Sequence, residues 1–556
     1  MVVRDELLLV LDLTSTILRA GVGMHDLIRG PLVELPTRLG RKTGTTGSRV
    51  EDFLVGAHLY EAEHKARSAP PGTEPEFEVV NPLRVDERTG FEVVDWVGLE
   101  AVFRFVLHTS LNLPRPPLAH PVILSVPPSL PPSTLDKLHQ LLFERLLIPQ
   151  LLLSSRPFFA AAAAGVLSAV ILDVGYRGEG SEISVVHENA VLESAGGLRL
   201  PFVDEGVCDD WLALQLLEAD PAIPAQFAGA RGLSGPEQLA PGEVAYGLRA
   251  MVGELKVRDL IKFESPLMGA VAGAAAAAGA GAAAGAAGAG DEEGSFDVAK
   301  AIADGKVGDL VNKKKGGSSG KDADGDGDSS AAAAVEVKNP FAPPLPPVDL
   351  SLGPNDQPPP PPFQSITLTG PTRHRYLEPL FLPALISHLA PSASPTAALL
   401  GLGEYERFAS GEGRRQADTA GVHEAVGVVL GRVEDEEVRS AVSEAVVVVS
   451  SGRVGSIKAL GATLAPLLSP FRPSPDSSTL AAIAAEGGAP PQRGVRYAPT
   501  PEYFANFKER GGEWGCYLGA GIMGKLLIGD AQSKLFMTKQ EYAQHGPAYY
   551  RLLDAL

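Results

Sequence analysis

The sequence predicts an α/β protein of two lobes, interrupted by a long low-complexity insertion. Three observations carry this. Twice an apolar strand runs into an aspartate, a tight turn and a second strand: Leu7-Leu8-Leu9-Val10-Leu11-Asp12-Leu13-Thr14-Ser15-Thr16, and Ala169-Val170-Ile171-Leu172-Asp173-Val174-Gly175. Such apolar runs, bounded by turn residues, read as buried strands. Further strands alternate with segments of helical period, the pattern of α/β architecture. From about residue 268 to 290 the chain is almost only Ala and Gly, and such a tract has little with which to build a core. Two strand–Asp–turn units facing each other across a cleft are a way to grip phosphate.

In chain order, residues 40–76 are rich in Gly, Thr and Pro and read as a loop. Residues 120–126 (HPVILSV) read as a buried strand ended by Pro127-Pro128, because proline cannot continue a central strand. Ser133 is placed to cap a helix over 135–146, where Leu138, Leu141, Leu142 and Arg145 recur with helical spacing. Residues 158–167 are alanine-rich and helical, leading into the second aspartate strand. The run Ala445-Val446-Val447-Val448-Val449 is β-branched and ends in Ser450-Ser451-Gly452, followed by an amphipathic helix over 457–468. Residues 469–494 read as a Pro/Ser/Ala loop, and a last strand is expected after Phe507-Lys508.

Residues 268–364 read as one mostly disordered insertion, since few of them repay chain-ordering entropy by burial. It holds Asp291-Glu292-Glu293, a helical-looking docking segment within 296–315, Lys313-Lys314-Lys315, a Gly/Ser/Asp stretch and a proline-rich stretch over 340–362. The expected division is 1–165 for the first lobe, 166–267 and 365–495 for the second, and 496–556 for the return to the first.

Composition narrows the function. With 556 residues, 45% of them hydrophobic, the chain has enough apolar material for large cores. A net charge of −19 argues against direct high-affinity nucleic-acid binding, which needs concentrated positive charge. Cys208 and Cys516 are too few for a disulfide framework and suit a reducing compartment. The opening residues do not read as a signal peptide, and no apolar tract outside the Ala/Gly run is long enough for a membrane span. No metal site is expected. The histidines lack ligand spacing with the cysteines, and the calcium-loop-like Asp322, Asp324, Asp326, Gly327 and Asp328 meet Ala333 where a bidentate glutamate belongs. Pro358-Pro359-Pro360-Pro361-Pro362 reads as a spacer, with a polyproline II ligand for an SH3-type groove as the alternative, and the three lysines as a solubilising tail, with an import signal or weak DNA contact as the alternative.

Taken in order, several motifs resemble the actin superfamily. Asp12, Ser15 and Arg19-Ala20-Gly21 are similar to its first phosphate loop; His120-Pro121-Val122-Ile123-Leu124 resembles the strand before its interlobe helix; Leu172-Asp173-Val174-Gly175 resembles the second phosphate loop. Ser450-Ser451-Gly452 stands in place of an adenosine-contacting Ser-Gly-Gly. Leu518-Gly519-Ala520-Gly521, Met537-Thr538-Lys539-Gln540-Glu541-Tyr542 and Gly546-Pro547 resemble the C-terminal segment. The resemblance implies an actin-like fold of the actin/hexokinase/Hsp70 ATPase type. Phe296-Asp297-Val298-Ala299-Lys300-Ala301-Ile302 and Tyr503-Phe504 resemble the fungal actin-related protein 9 branch. That branch implies a nuclear subunit of SWI/SNF and RSC chromatin remodellers. It pairs with another actin-related protein and grips the HSA helix of the remodeller ATPase.

Within this frame the residues predict a degenerate nucleotide cleft, formed by Asp12, Ser15, Arg19, Asp173, Gly175, Ser450 and Gly452. Phosphate loops use glycine for unusual dihedrals and close approach. Here β-branched Thr14 and Thr16 flank Ser15, Arg19 replaces a lysine, and Tyr176-Arg177 add bulk after Gly175. By register, the family's two water-orienting positions fall at Arg156 and Glu182. Arg156 has no acceptor lone pair with which to orient water. The expectation is a non-catalytic protein without a resident cofactor. The alternative is a nucleotide-binding or slowly ATP-hydrolysing relative with a regulatory or cytoskeletal role, residual ATP binding being the point that separates the two. The resemblance implies a partner groove at Ala162, Ile522, Met523, Leu526, Leu527 and Leu535, suited to an amphipathic helix.

Overall fold

The computed structural model describes residues 7–23, 29–67, 76–86, 90–128, 130–239, 241–269, 271, 334–342, 363–368, 370–410, 420–471, 495–528 and 535–553. By contact the chain forms two compact units. Met1–Pro201, Val429–Ser456 and Pro475–Leu556 make one; Phe202–Val428 and Ile457–Ser474 make the other. The boundaries differ from the expected division, since residues 166–201 pack within the first unit.

The first unit is α/β and contains two mixed sheets built on one plan. In one, the order is Met537–Thr538, Gln150–Ser155, Val122–Val126, Leu9–Leu13, Ile17–Val22, Val33–Pro36. In the other it is Ala190–Val191, Ser181–His187, Ala169–Val174, Ala445–Ser450, Arg496–Tyr497, with Leu198–Leu200 also paired to Ser181–His187. Each aspartate strand has an antiparallel hairpin partner on one side and a parallel strand on the other. Asp12 pairs with Arg19 and Ser125, and Asp173 with Glu182 and Val449.

Both aspartate strands are buried along their length, which is why they are apolar at every position rather than at alternate ones. Their side chains still alternate between faces. Leu9, Leu11 and Leu13 join one core cluster; Leu8 and Val10 join a second, which also holds Ile171, Val447 and Val449. Two helices, Arg156–Ala164 and Gly511–Ile528, pack into that second core. They meet backbone to backbone at Gly519, where an added Cβ would sit 1.8 Å from the Phe159 carbonyl oxygen.

Several elements differ from expectation. Residues 40–76 are not simply a loop: Leu39–Lys42, Phe53–Val55 and Phe77–Val80 form a three-stranded sheet, beside the helix Ala57–Arg67. Leu39, Phe53, Val55, Leu59 and Phe77 are buried there, a sparse apolar set hidden among glycines and charges. Ser133 does not cap its helix. The helix is Pro132–Gln140 with extended Pro131 at the cap, continuing as a π-helical turn, Leu141–Arg145. Proline at the first helical position fits because its missing N–H has no partner to lose.

The alanine-rich helix begins at Arg156 and stops at left-handed Gly165, two residues short of the expected end. The 457–468 helix starts at Leu460. The expected last strand is instead the helix Gly511–Ile528. Part of the presumed insertion is ordered: Val335–Lys338 pairs antiparallel with Ser365–Leu368, with Val337 and Ile366 buried. The 296–315 segment, the acidic residues 322–328, Lys313-Lys314-Lys315 and Pro358-Pro359-Pro360-Pro361-Pro362 lie outside the described residues.

The second unit is mainly helical in its described residues, centred on Glu205–Ala219 and Pro241–Val257. Asp204 caps the former by accepting from Val207 N. Its core carries a buried Lys256, which donates to Glu205 at 2.7 Å and Asp209 at 2.6 Å.

Candidate functional site

The two hairpin turns of the first unit bring most of the predicted site residues together. Asp12 lies at the C-terminal end of its strand, fully buried, where Ser125 Oγ on the neighbouring parallel strand donates to Oδ1 at 2.9 Å. Across the hairpin, Arg19 Nη1 reaches Oδ2 at 3.5 Å. Arg156 is the first residue of its helix, following extended Ser155. That position sends its side chain back toward the strand ends. Nη1 donates to Asp12 Oδ1 at 2.7 Å, Nε to Asp173 Oδ2 at 2.6 Å and Nη2 to Asp173 Oδ1 at 3.2 Å.

One guanidinium thus bridges both aspartates and takes Asp173 in the two-pronged geometry that suits arginine. Burial works against the Arg156 charge, but the Asp12 and Asp173 carboxylates outweigh it and hold the group protonated far above the ordinary arginine range. Burial pushes the Asp173 carboxyl up, and Arg156 pulls it only part of the way back.

Arg19, standing in a lysine's place, is also fully committed. Nε donates to Glu34 at 3.2 Å, and Nη2 to Glu513 at 3.2 Å and to the Ser451 carbonyl. Arg510 closes this cluster through Glu34 and Glu513. Burial raises the Glu34 carboxyl, yet Arg510 and Arg19 more than offset that and leave it below its ordinary value.

The turn amides are engaged as well. Thr14 N donates to Ile17 O at 2.9 Å, and Thr14 Oγ1 accepts from Ile17 N at 3.1 Å, closing the first turn on itself. In the second turn Gly175 N donates to Gly180 O at 2.8 Å. Four donors from the two turns converge on the Glu179 carboxylate. Oε1 accepts from Ser15 Oγ at 2.7 Å, Thr16 N at 3.0 Å and Thr16 Oγ1 at 3.1 Å; Oε2 accepts from Tyr176 N at 2.6 Å. Glu182 lines the same cavity as Arg156, Asp173, Gly175, Glu179 and Arg199; the cavity holds about 50 Å³. Ser450 Oγ donates to Gly452 O at 2.7 Å and accepts from Gly455 N at 3.2 Å, so it ties its own turn.

The actin type of fold implies ATP with a divalent cation, and the residues present do not fit that group. Both aspartates answer to Arg156, and the amides of Thr16 and Tyr176 answer to Glu179. Among the described residues no cluster of His, Cys, Asp or Glu suits a metal ion. The surrounding glutamates Glu34, Glu179 and Glu513 and the strand residue Ser125, which donates to Asp12, were not singled out from sequence. For Glu179 a signal existed: an acidic residue in a turn bracketed by Gly175, Gly178 and Gly180.

Of the presumed partner residues, Ala162 lies on one of the two helices that meet at Phe159 and Gly519, and Ile522, Met523, Leu526 and Leu527 lie on the other. Met523 and Ala162 follow about one turn further along their helices, on the same faces. Ile522, Met523, Leu527 and Leu535 are partly buried against the core, and Ala162 is half-buried, whereas Leu526 is 64% exposed. No helix among the described residues is long and apolar enough to cross a membrane.

Paired aspartate hairpins on two sheets of one plan, with a helix entering from each sheet, define an actin-type α/β fold. Residues 4–198 match the actin family model. Among curated proteins, the chain is similar to Actin-like protein 9 of Mus musculus, 29% identical over 26% of this chain and 35% of that protein. It is similar to Actin-like protein 9 of Homo sapiens, 32% identical over 18% of this chain and 23% of that protein. It is also similar to Actin-related protein 4 of Arabidopsis thaliana, 28% identical over 18% and 22%. The chain thus spans about a third or less of the length of these relatives. The fold is of the actin type, and the chain is similar to actin over residues 4–198 and to these actin-related proteins over part of its length.

Proposed function

We propose that this chain is a non-catalytic architectural subunit of a SWI/SNF- or RSC-type chromatin-remodelling complex in the nucleus. In this reading it pairs with another actin-related protein and binds the HSA helix of the remodeller ATPase. The observation that carries the non-catalytic part is Arg156 seated between Asp12 and Asp173. A nucleotide enzyme of this fold needs those carboxylates for a hydrated cation and needs an acceptor to orient water. Arginine neutralises the first and cannot supply the second. Losing one positioned catalytic group typically costs roughly 10²–10³ in rate; here the cation carboxylates are also committed.

The architectural part is supported by the shape of the Gly511–Ile528 helix. It is anchored by small residues on its packed face, and it carries Leu526 exposed beside half-buried Ile522 and Met523. An amphipathic helix laid there would cover that apolar strip. The test is capture of the full-length chain on an immobilised HSA segment, with Ile522→Asp as the variant. Capture lost in the variant supports the groove; undiminished capture contradicts it. A phosphate-release assay on the unaltered chain with Mg-ATP should give no turnover above buffer, and measurable turnover would favour a nucleotide-regulated relative instead.

A further inference from the structure

We infer that Glu179 is a resident stand-in for a phosphate, filling an anion-binding nest that the two hairpin turns still form. This rests on the non-catalytic reading and deepens it. Two backbone amides and two hydroxyls pointing at one carboxylate are the donor set that an oxyanion would receive from such turns. If Glu179 merely capped its own turn, only the Tyr176 amide would be needed. The other three donors come from Ser15 and Thr16, more than 160 residues away in sequence.

The rest of the turn is shaped to deliver that carboxylate. A Cβ on Gly175 would sit 2.3 Å from the Glu179 Cβ, so the one glycine kept from a phosphate loop here makes room for the glutamate. Arg199 Nη2 fixes the Glu179 carbonyl at 2.9 Å. A second, open depression of about 400 Å³ is lined by Ser15 and Thr16 together with Asn81, Arg84, Val85 and Arg177, giving an incoming anion a route and basic neighbours. Taking Glu179 away leaves a nest that binds inorganic phosphate or pyrophosphate, while the unaltered chain holds that nest closed.

The test uses the full-length chain, Glu179→Ala and Glu179→Gln, with inorganic phosphate and pyrophosphate as probes in calorimetric titration and thermal melting. Glu179→Ala should melt lower than the parent, recover with added phosphate, and bind it on the order of tenfold or more tightly than the parent, the scale of one charge-assisted hydrogen bond. Chloride at matched ionic strength should not substitute. Glu179→Gln keeps the side-chain volume and one acceptor, so it should fold and show a weaker gain in phosphate affinity; it carries the test if the alanine variant does not fold. Folded variants with no more phosphate response than the parent, or a parent that responds equally, would overturn the inference. Turnover of Mg-ATP by the parent is a separate outcome: it would defeat the non-catalytic reading and leave the gain in the variants as the measure of Glu179.

Discussion

The two hairpins share a plan and differ in how their turns are closed. In the first, Thr14 folds over its own turn, and Asp12 is held by three residues, Arg19, Arg156 and Ser125. In the second, Asp173 answers to Arg156, and Glu179 reaches out to bind the opposite turn. The first hairpin leaves the Ser15 and Thr16 donors for its neighbour; the second supplies the carboxylate that takes them. A frame that elsewhere presents paired amides and carboxylates to a ligand can therefore be satisfied within itself by two side chains, Arg156 and Glu179.

The largest expected effect comes from removing what the hairpins share. Arg156→Met leaves Asp12 and Asp173 buried without their common cation, and should cost about 3–5 kcal/mol, read as a shift in chemical-denaturation midpoint. Adding Asp12→Asn and Asp173→Asn to it should recover much of that loss, because an uncharged set has no unpaired ion to bury. No recovery would mean that Arg156 acts by packing alone.

A smaller difference should separate the aspartates. Asp12→Asn disturbs three donors and should cost more than Asp173→Asn, by about 1 kcal/mol or more. Equal costs would erase the asymmetry between the hairpins.

Acidification should act with opposite signs on the two sides. Glu34, paired to Arg19 of the first hairpin, sits below its ordinary 4.5 because Arg510 and Arg19 outweigh burial. Its contribution to stability is complete above that value and is lost as pH falls through the lower folded-state value. Asp173 is raised above its ordinary 3.8 by burial, so its contribution is complete below 3.8 and is lost as pH rises through the folded-state value. Glu34→Gln should flatten the acid limb of a stability–pH curve, whereas Asp173→Asn should steepen it. The same change of slope in both variants would contradict the assignment.

The smallest stability effect should come from Leu526→Asp, within about 0.5 kcal/mol because the side chain is exposed, with capture by the HSA segment nonetheless reduced. Unchanged capture would remove Leu526 from the groove.

Much of the frame was legible in the sequence because both aspartate strands are buried on two faces and so read as unbroken apolar runs. Asp12, Ser15, Arg19 and Asp173 were placed together by the resemblance of their motifs to two phosphate loops, not by the apolar pattern alone. The 40–76 sheet was not legible, since its few core residues, Leu39, Phe53 and Phe77, are spaced among glycines and charges. The Gly511–Ile528 helix was hidden by its glycines, which disfavour helix on propensity. They are explained only by a neighbour: Gly519 lies against Phe159 and Gly524 against Leu8 and Ile123. Arg156 was assigned by register as a lost water-orienting residue; its bridging of two aspartates depends on where the helix begins, a boundary that periodicity placed two residues late. Glu179 escaped because its partners lie in a different turn, and spacing along the chain cannot report a contact of that kind.

The most direct measurement is an equilibrium titration of the unaltered chain with Mg-ATP, followed by calorimetry. With Arg156 on both aspartates and Glu179 on the turn amides, the titration should give no saturable, magnesium-dependent heat. Tight, magnesium-dependent binding would show that nucleotide displaces both side chains, and would contradict an anion site filled from within.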